Sequence, residues 1–152
     1  MQQLNYYDGF YGLPGLNGLG NAPDSTFGTF TQVAPDGLMP FVTGDPKMTG
    51  WAEEISLDVL WSHAIAPGAN IVLVLAKSNA DADILSATKY AVDNNLGDII
   101  SQSFGGNESW VDPTVLAQQH QIFAEATMKN FTILAPQVTT VRRNLHVTDR
   151  PW

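Results

Sequence analysis

Hydrophobic residues are distributed differently on the two sides of residue 50. Before it Gly, Pro, Asn and Asp recur, as in Tyr11-Gly-Leu-Pro-Gly-Leu-Asn-Gly-Leu-Gly20 and Ala34-Pro-Asp-Gly37. These breakers predict loops with at most one short strand over residues 27–33. After residue 50 the pattern becomes regular. Leu57, Leu60, Trp61 and Ala64 fall at helical spacing and Pro67-Gly68 stops them, which predicts an amphipathic helix. Residues 71–76 are continuously apolar, the mark of a strand buried on both faces. A helix over 80–95 follows, with Asp81 and Asp83 near its start and Asn94-Asn95-Leu96-Gly97 closing it. Then come a strand over 99–104 halted by Gly105-Gly106, a helix from Pro113 to about Lys129, and a strand over 131–135. Alternating helices and strands with short connections predict the α/β class, a parallel sheet with helices packed on its faces.

Composition narrows the chemistry. The 152 residues fit one domain, and 44% of them are hydrophobic, enough for a core. A net charge of −8 with only seven Lys and Arg argues against a nucleic-acid partner, because phosphate binding needs clustered cations. There is no cysteine for a disulfide or a thiolate metal site, and His63, His120 and His146 are too scattered to suggest a metal cluster. No apolar run reaches the roughly 18 residues of a membrane span, and Met1-Gln-Gln-Leu4 lacks the basic and apolar regions of a signal peptide. Neither a membrane partner nor an export signal is expected.

Two acids stand out against this sparse charge. Glu54 and Asp58 are four residues apart on the predicted helix and so share a face. Like charges at that spacing destabilise a helix by a few tenths of a kcal/mol. One explanation is an ordinary solvated helix face, with acids in the first turn favoured by the dipole. The other is acid/base chemistry: lying over Leu57 and Trp61 the pair is partly desolvated, which raises carboxylate pKa values and lets one acid keep its proton while the other ionises. His63, one turn further on, fits a capping or packing role better than a third member of the set.

The second candidate is Ser101-Gln-Ser-Phe-Gly-Gly-Asn-Glu108, at the end of a predicted strand. In open α/β sheets ligands lie beyond the carboxyl ends of strands, and Gly105 and Gly106 allow another backbone to approach and pair as an added strand. A plain strand-to-loop turn explains the same residues. Glu108 and Trp110 fit surface positions better than walls of a site.

Together these segments resemble the sedolisin family, serine-carboxyl peptidases of subtilisin-like fold. Tyr6-Tyr-Asp-Gly-Phe-Tyr-Gly-Leu-Pro14 is similar to that family's D-x-x-x-F-x-x-x-Y-G-L-P region, and the segment from Trp51 to Ala69 to its W-x-x-E-x-x-x-L-D followed by A-I-A-P-G-A. Ser101 to Gly106 is similar to its S-x-S-x-G-G strand. The resemblance covers roughly residues 4 to 135 and implies a partial subtilisin-like parallel sheet with helices on both faces. It implies that Glu54 and Asp58 are the catalytic acids, with Asp58 orienting Glu54 and Glu54 taking the proton of a serine. It implies peptide or protein substrates, bound along Ser101, Ser103, Phe104, Gly105 and Gly106 and cleaved through an acyl-enzyme. Carboxylate chemistry implies an acidic optimum, and the family implies an extracellular setting.

Several family features are expected but not found. The oxyanion-hole aspartate, the nucleophile in a G-T-S context and the C-terminal calcium site have no counterpart here, so no cofactor is expected in this chain and no hydrolysis by it alone. Family character stops after Ala135. Read one nucleotide earlier, the codons for Gln137 to Arg142 can spell G-D-N-G-A, which fits the family's S-G-D-N-G. A reading-frame shift near Pro136 is therefore expected, dividing the chain into a peptidase part over 1–135 and an unrelated tail over 136–152. An apolar strand is expected ahead of the Asp-rich segment, and Met1 falls past it, as an internal start site produces. Two other classes fit less well: a non-catalytic peptide-binding module, and an α/β hydrolase using Ser101 or Ser103, neither of which lies in a G-x-S-x-G elbow.

Overall fold

The computed structural model describes residues 2–16 and 28–136. The expected tail over 136–152 lies, but for Pro136, outside the described residues, as do residue 27 and His146.

The first element corrects the expectation of loops before residue 50: Gln2–Tyr11 form a helix, α1. Its sequence has a glycine and several aromatics, which are poor helix formers, so tertiary packing holds it. Leu4 is buried with Leu16 and Phe30, and Tyr7 packs against Tyr11 one turn later with tilted rings, centroids 4.6 Å apart. Gly12 at φ 66° ends the helix, with the Leu13 N–H donating to the Asp8 carbonyl at 2.9 Å. Two later helices stop in the same way. Asn95 (φ 52°) and Asn130 (φ 63°) take the left-handed position, and Leu96 N–H and Phe131 N–H bond Ala91 and Ala126 carbonyls at 3.1 and 2.9 Å. Each is the six-to-one bond of a Schellman cap.

Strand β1 (Phe30–Val33) leads to helix α2 (Pro46–Ile65) and strand β2 (Ile71–Val74). Helix α2 starts earlier than its apolar spacing predicts, because Asp45 caps it. The Asp45 carboxylate accepts from Lys47 N–H at 2.8 Å and Met48 N–H at 3.3 Å, and Pro46 occupies the first turn. Ala66 ends it, before Pro67-Gly68 as predicted. Strands β1 and β2 pair in parallel, Phe30 opposite Ile71 and Val33 opposite Val74. At the entry to this ladder a Cβ on Gly28 would stand 1.9 Å from the Ala69 carbonyl oxygen. Only glycine admits that approach.

Helix α3 (Asp81–Asp93), strand β3 (Ile99–Ser101), a 3₁₀ turn (Glu108–Trp110), helix α4 (Pro113–Met128) and strand β4 (Thr132–Leu134) complete the described fold. Strands β3 and β4 pair in parallel, Ile99 opposite Thr132 and Ser101 opposite Leu134. The strand over 99–104 is thus shorter than predicted. The Gln102 N–H still bonds the Leu134 carbonyl at 2.9 Å, after which the chain leaves its partner.

The α/β class and the parallel pairing match the sequence pattern, but the pairing forms two ladders of two strands, β1–β2 and β3–β4. Each is a strand–helix–strand unit with its own core. Leu4, Leu16 and Phe30 pack with Val59, Leu60, Ile71 and Leu73 in the first. Val92, Ile122, Ala126 and Phe131 pack with Leu85, Ile100 and Ile133 in the second. Strand β2 is half-buried along its length, not sealed on both faces as its apolar run suggests.

Candidate active site

Helix α2 carries both acids. It begins at Pro46, so Glu54 and Asp58 lie well past its first turn, where the dipole no longer favours them. The helix dipole therefore does not account for the pair. Both carboxylates are half-buried, and four-residue spacing puts their Cβ atoms about 6 Å apart on one face. The apolar neighbours do not cover them: Leu57 is 49% and Trp61 60% exposed. Leu57, with Tyr6, Tyr7, Phe41 and Leu60, lines a shallow groove.

The strand end reaches the same place. The Ser103 hydroxyl donates to Asp58 Oδ1 at 2.5 Å, across 45 residues of sequence. Ser101 and Ser103 are exposed and Phe104 is half-buried. Gly105 and Gly106 are exposed, and a Cβ on Gly106 would meet nothing within 4 Å. That leaves room for a second backbone alongside. Between the two serines, Gln102 points inward, its Nε2 donating to Thr88 Oγ1 at 2.9 Å from a buried position. This alternation fixes which way Ser103 faces. Glu108 and Trp110 are exposed surface residues.

The acid-bearing helix is also anchored by a pair of polar residues, His63 and Asp8, whose pairing the sequence does not show. His63 is fully buried and Asp8 5% exposed. His63 Nε2 lies 2.9 Å from the Pro14 carbonyl oxygen and 3.1 Å from Asp8 Oδ1. The ring N–H points at the carbonyl, so the carboxylate contact is an ion-pair approach off the hydrogen-bond axis. Burial raises the Asp8 carboxyl above its ordinary value, against the opposing pull of the neighbouring His63. His63 therefore packs, and it does not cap. His120 is exposed on α4. Among the described residues no group of three or more His, Asp or Glu side chains is placed to hold a metal ion, and no helix is long and apolar enough to cross a membrane.

No protein-family model matches the chain. Kumamolisin of Bacillus sp. (strain MN-32) is 36% identical to it over 106 residues, 68% of this chain and 19% of kumamolisin. A Pseudomonas sedolisin, a serine-carboxyl proteinase complexed with two molecules of pseudo-iodotyrostatin, superposes with a TM-score of 0.60 at 18% identity. The chain belongs to the sedolisin family. The sedolisin match covers 88% of this chain and 34% of that one, and it speaks for the subtilisin-like α/β fold. This sedolisin-family chain thus spans about one fifth of kumamolisin and about one third of the sedolisin chain.

Proposed function

We propose that these residues carry the carboxylate half of an acid-acting serine-carboxyl peptidase site for peptide or protein substrates. In this reading Glu54 accepts the proton of a serine as it attacks the peptide carbonyl, and Asp58 orients Glu54 and spreads the charge it acquires. The substrate backbone lies along the segment from Ser101 to Gly106 as an added strand. The observation that carries the reading is one helix presenting two half-buried acids a turn apart, with the strand end hydrogen-bonded to Asp58, in a chain 36% identical to kumamolisin over 106 residues.

No Gly-Thr-Ser sequence occurs in the 152 residues, so the serine must come from further polypeptide. The chain alone is then inactive, and the oxyanion aspartate and any calcium site lie outside it. Proteolysis at acidic pH and an extracellular setting follow from the family resemblance.

The test has two parts. The chain by itself is incubated with an internally quenched peptide between about pH 3 and 5; cleavage that Glu54→Ala abolishes would refute the inactivity. The chain is also grafted into kumamolisin in place of the matched residues. In an active graft Glu54→Ala and Asp58→Ala should lower kcat by at least about a hundredfold, while the neighbouring Glu53→Ala should not. Full activity of Glu54→Ala would remove the acid from the mechanism. Micromolar peptide binding by a stable, monomeric chain with no hydrolysis in either setting would favour a non-catalytic peptide-binding module.

A further inference from the structure

We infer that Ser103 is a positioning residue for Asp58: its hydroxyl serves the acid and not the peptide. A serine has one hydroxyl proton, and here it goes to Asp58 Oδ1 at 2.5 Å, the short range of a hydroxyl bound to a carboxylate. Ser103 therefore has no proton left to donate to a substrate carbonyl. Its peptide-facing role falls to the backbone of the following residues, where Gly106 stands open.

The bond also has an unusual place in the fold. Among the described residues the other long-range side-chain bonds stay within one strand–helix–strand unit and its helices. Thr29 to Asn70 and His63 to Pro14 lie in the first, Gln102 to Thr88 and Lys129 to Val92 in the second. The bond from Ser103 to Asp58 joins the first unit to the second. It fixes the Asp58 carboxylate to the end of β3 through Oδ1. Strand occupancy and acid orientation are thereby mechanically linked, because the segment that receives the peptide is the segment that holds Asp58.

This rests on the reading of Asp58 as the orienting acid, but its test does not. Three-bond couplings from the Asp58 carboxyl carbon to its backbone nitrogen and carbonyl carbon report χ1 in the isotope-labelled 152-residue chain. Wild type should show one large and one small coupling, a single rotamer. Ser103→Ala should move both to averaged values, and Ser103→Thr, which keeps the hydroxyl, should restore the single rotamer. Ser103 is exposed, so amide spectra away from the site should overlay in all three. A locked Asp58 in Ser103→Ala overturns the proposal, as does covalent labelling of Ser103 by a fluorophosphonate, which would make it a nucleophile. Failure of the catalytic reading would show separately, as full activity of Asp58→Ala in the kumamolisin graft.

Discussion

Truncating His63 to alanine removes the imidazole that stands 3.1 Å from Asp8 and leaves Asp8, only 5% exposed, without its buried neighbour. Breaking a buried pair from one side costs about 3–5 kcal/mol, because the remaining group stays desolvated and unpaired. Asp8→Ala should cost a similar amount, since the fully buried imidazole then keeps the Pro14 carbonyl alone. Removing both should cost much less than the sum, giving a coupling of about 2–3 kcal/mol in a double-mutant cycle. Urea denaturation of the four proteins reads this directly. Additivity within about 0.5 kcal/mol would mean the two side chains do not stabilise one another. The pH dependence gives a second check with a definite sign. Burial raises the Asp8 carboxyl above its ordinary 3.8, so the folded chain binds that proton more tightly than the unfolded chain. Its stabilising effect is complete below that ordinary value and is lost as pH rises through the higher folded value. The stability of wild type relative to Asp8→Asn should therefore fall across that window; a difference that rises with pH would reverse the assignment.

Other substitutions test the frame around the site. Gly28→Ala should disrupt the β1–β2 ladder, because its Cβ would overlap the Ala69 carbonyl oxygen at 1.9 Å; a melting temperature equal to wild type would contradict the close approach. Thr88→Val leaves the buried Gln102 Nε2 without its acceptor and should cost about 1–3 kcal/mol by chemical denaturation. Asn130→Val places a branched side chain at φ 63° and should cost about 1–2 kcal/mol, whereas Asn130→Gly should be tolerated. Asp112 caps α4 through the Thr114 N–H, which holds its carboxyl below the usual range. Its contribution is present above about pH 3.8 and should be lost as pH falls through the folded value, so Asp112→Ala should flatten the acid limb of the stability curve.

Much of the frame is legible in the sequence where stop and start signals are local. Pro67-Gly68 ends α2, Asp112-Pro113 opens α4, and Asn94-Asn95 closes α3 through a left-handed asparagine. The acids are legible because four-residue spacing needs nothing beyond one helix. Helix α1 is not: glycine and clustered aromatics argue against a helix, and the contacts that hold it come from Leu16, Phe30 and His63, far along the chain. The split into two ladders is equally hidden, since strand patterns state which segments are extended but not which edges meet. The Ser103–Asp58 bond spans 45 residues and has no local signature. Asp8 reads as part of a polar, aromatic stretch until the fold closes α2 over it.

The two separately packed cores bear on how the site fails on heating. Glu54 and Asp58 ride on the first unit and the segment from Ser101 to Gly106 on the second. Local opening between cooperative units needs less free energy than melting either one. A small separation of the halves would pull the serine hydroxyl from the carboxylate while helices and ladders stay intact. On heating, loss of the Ser103–Asp58 bond is then expected before either half unfolds.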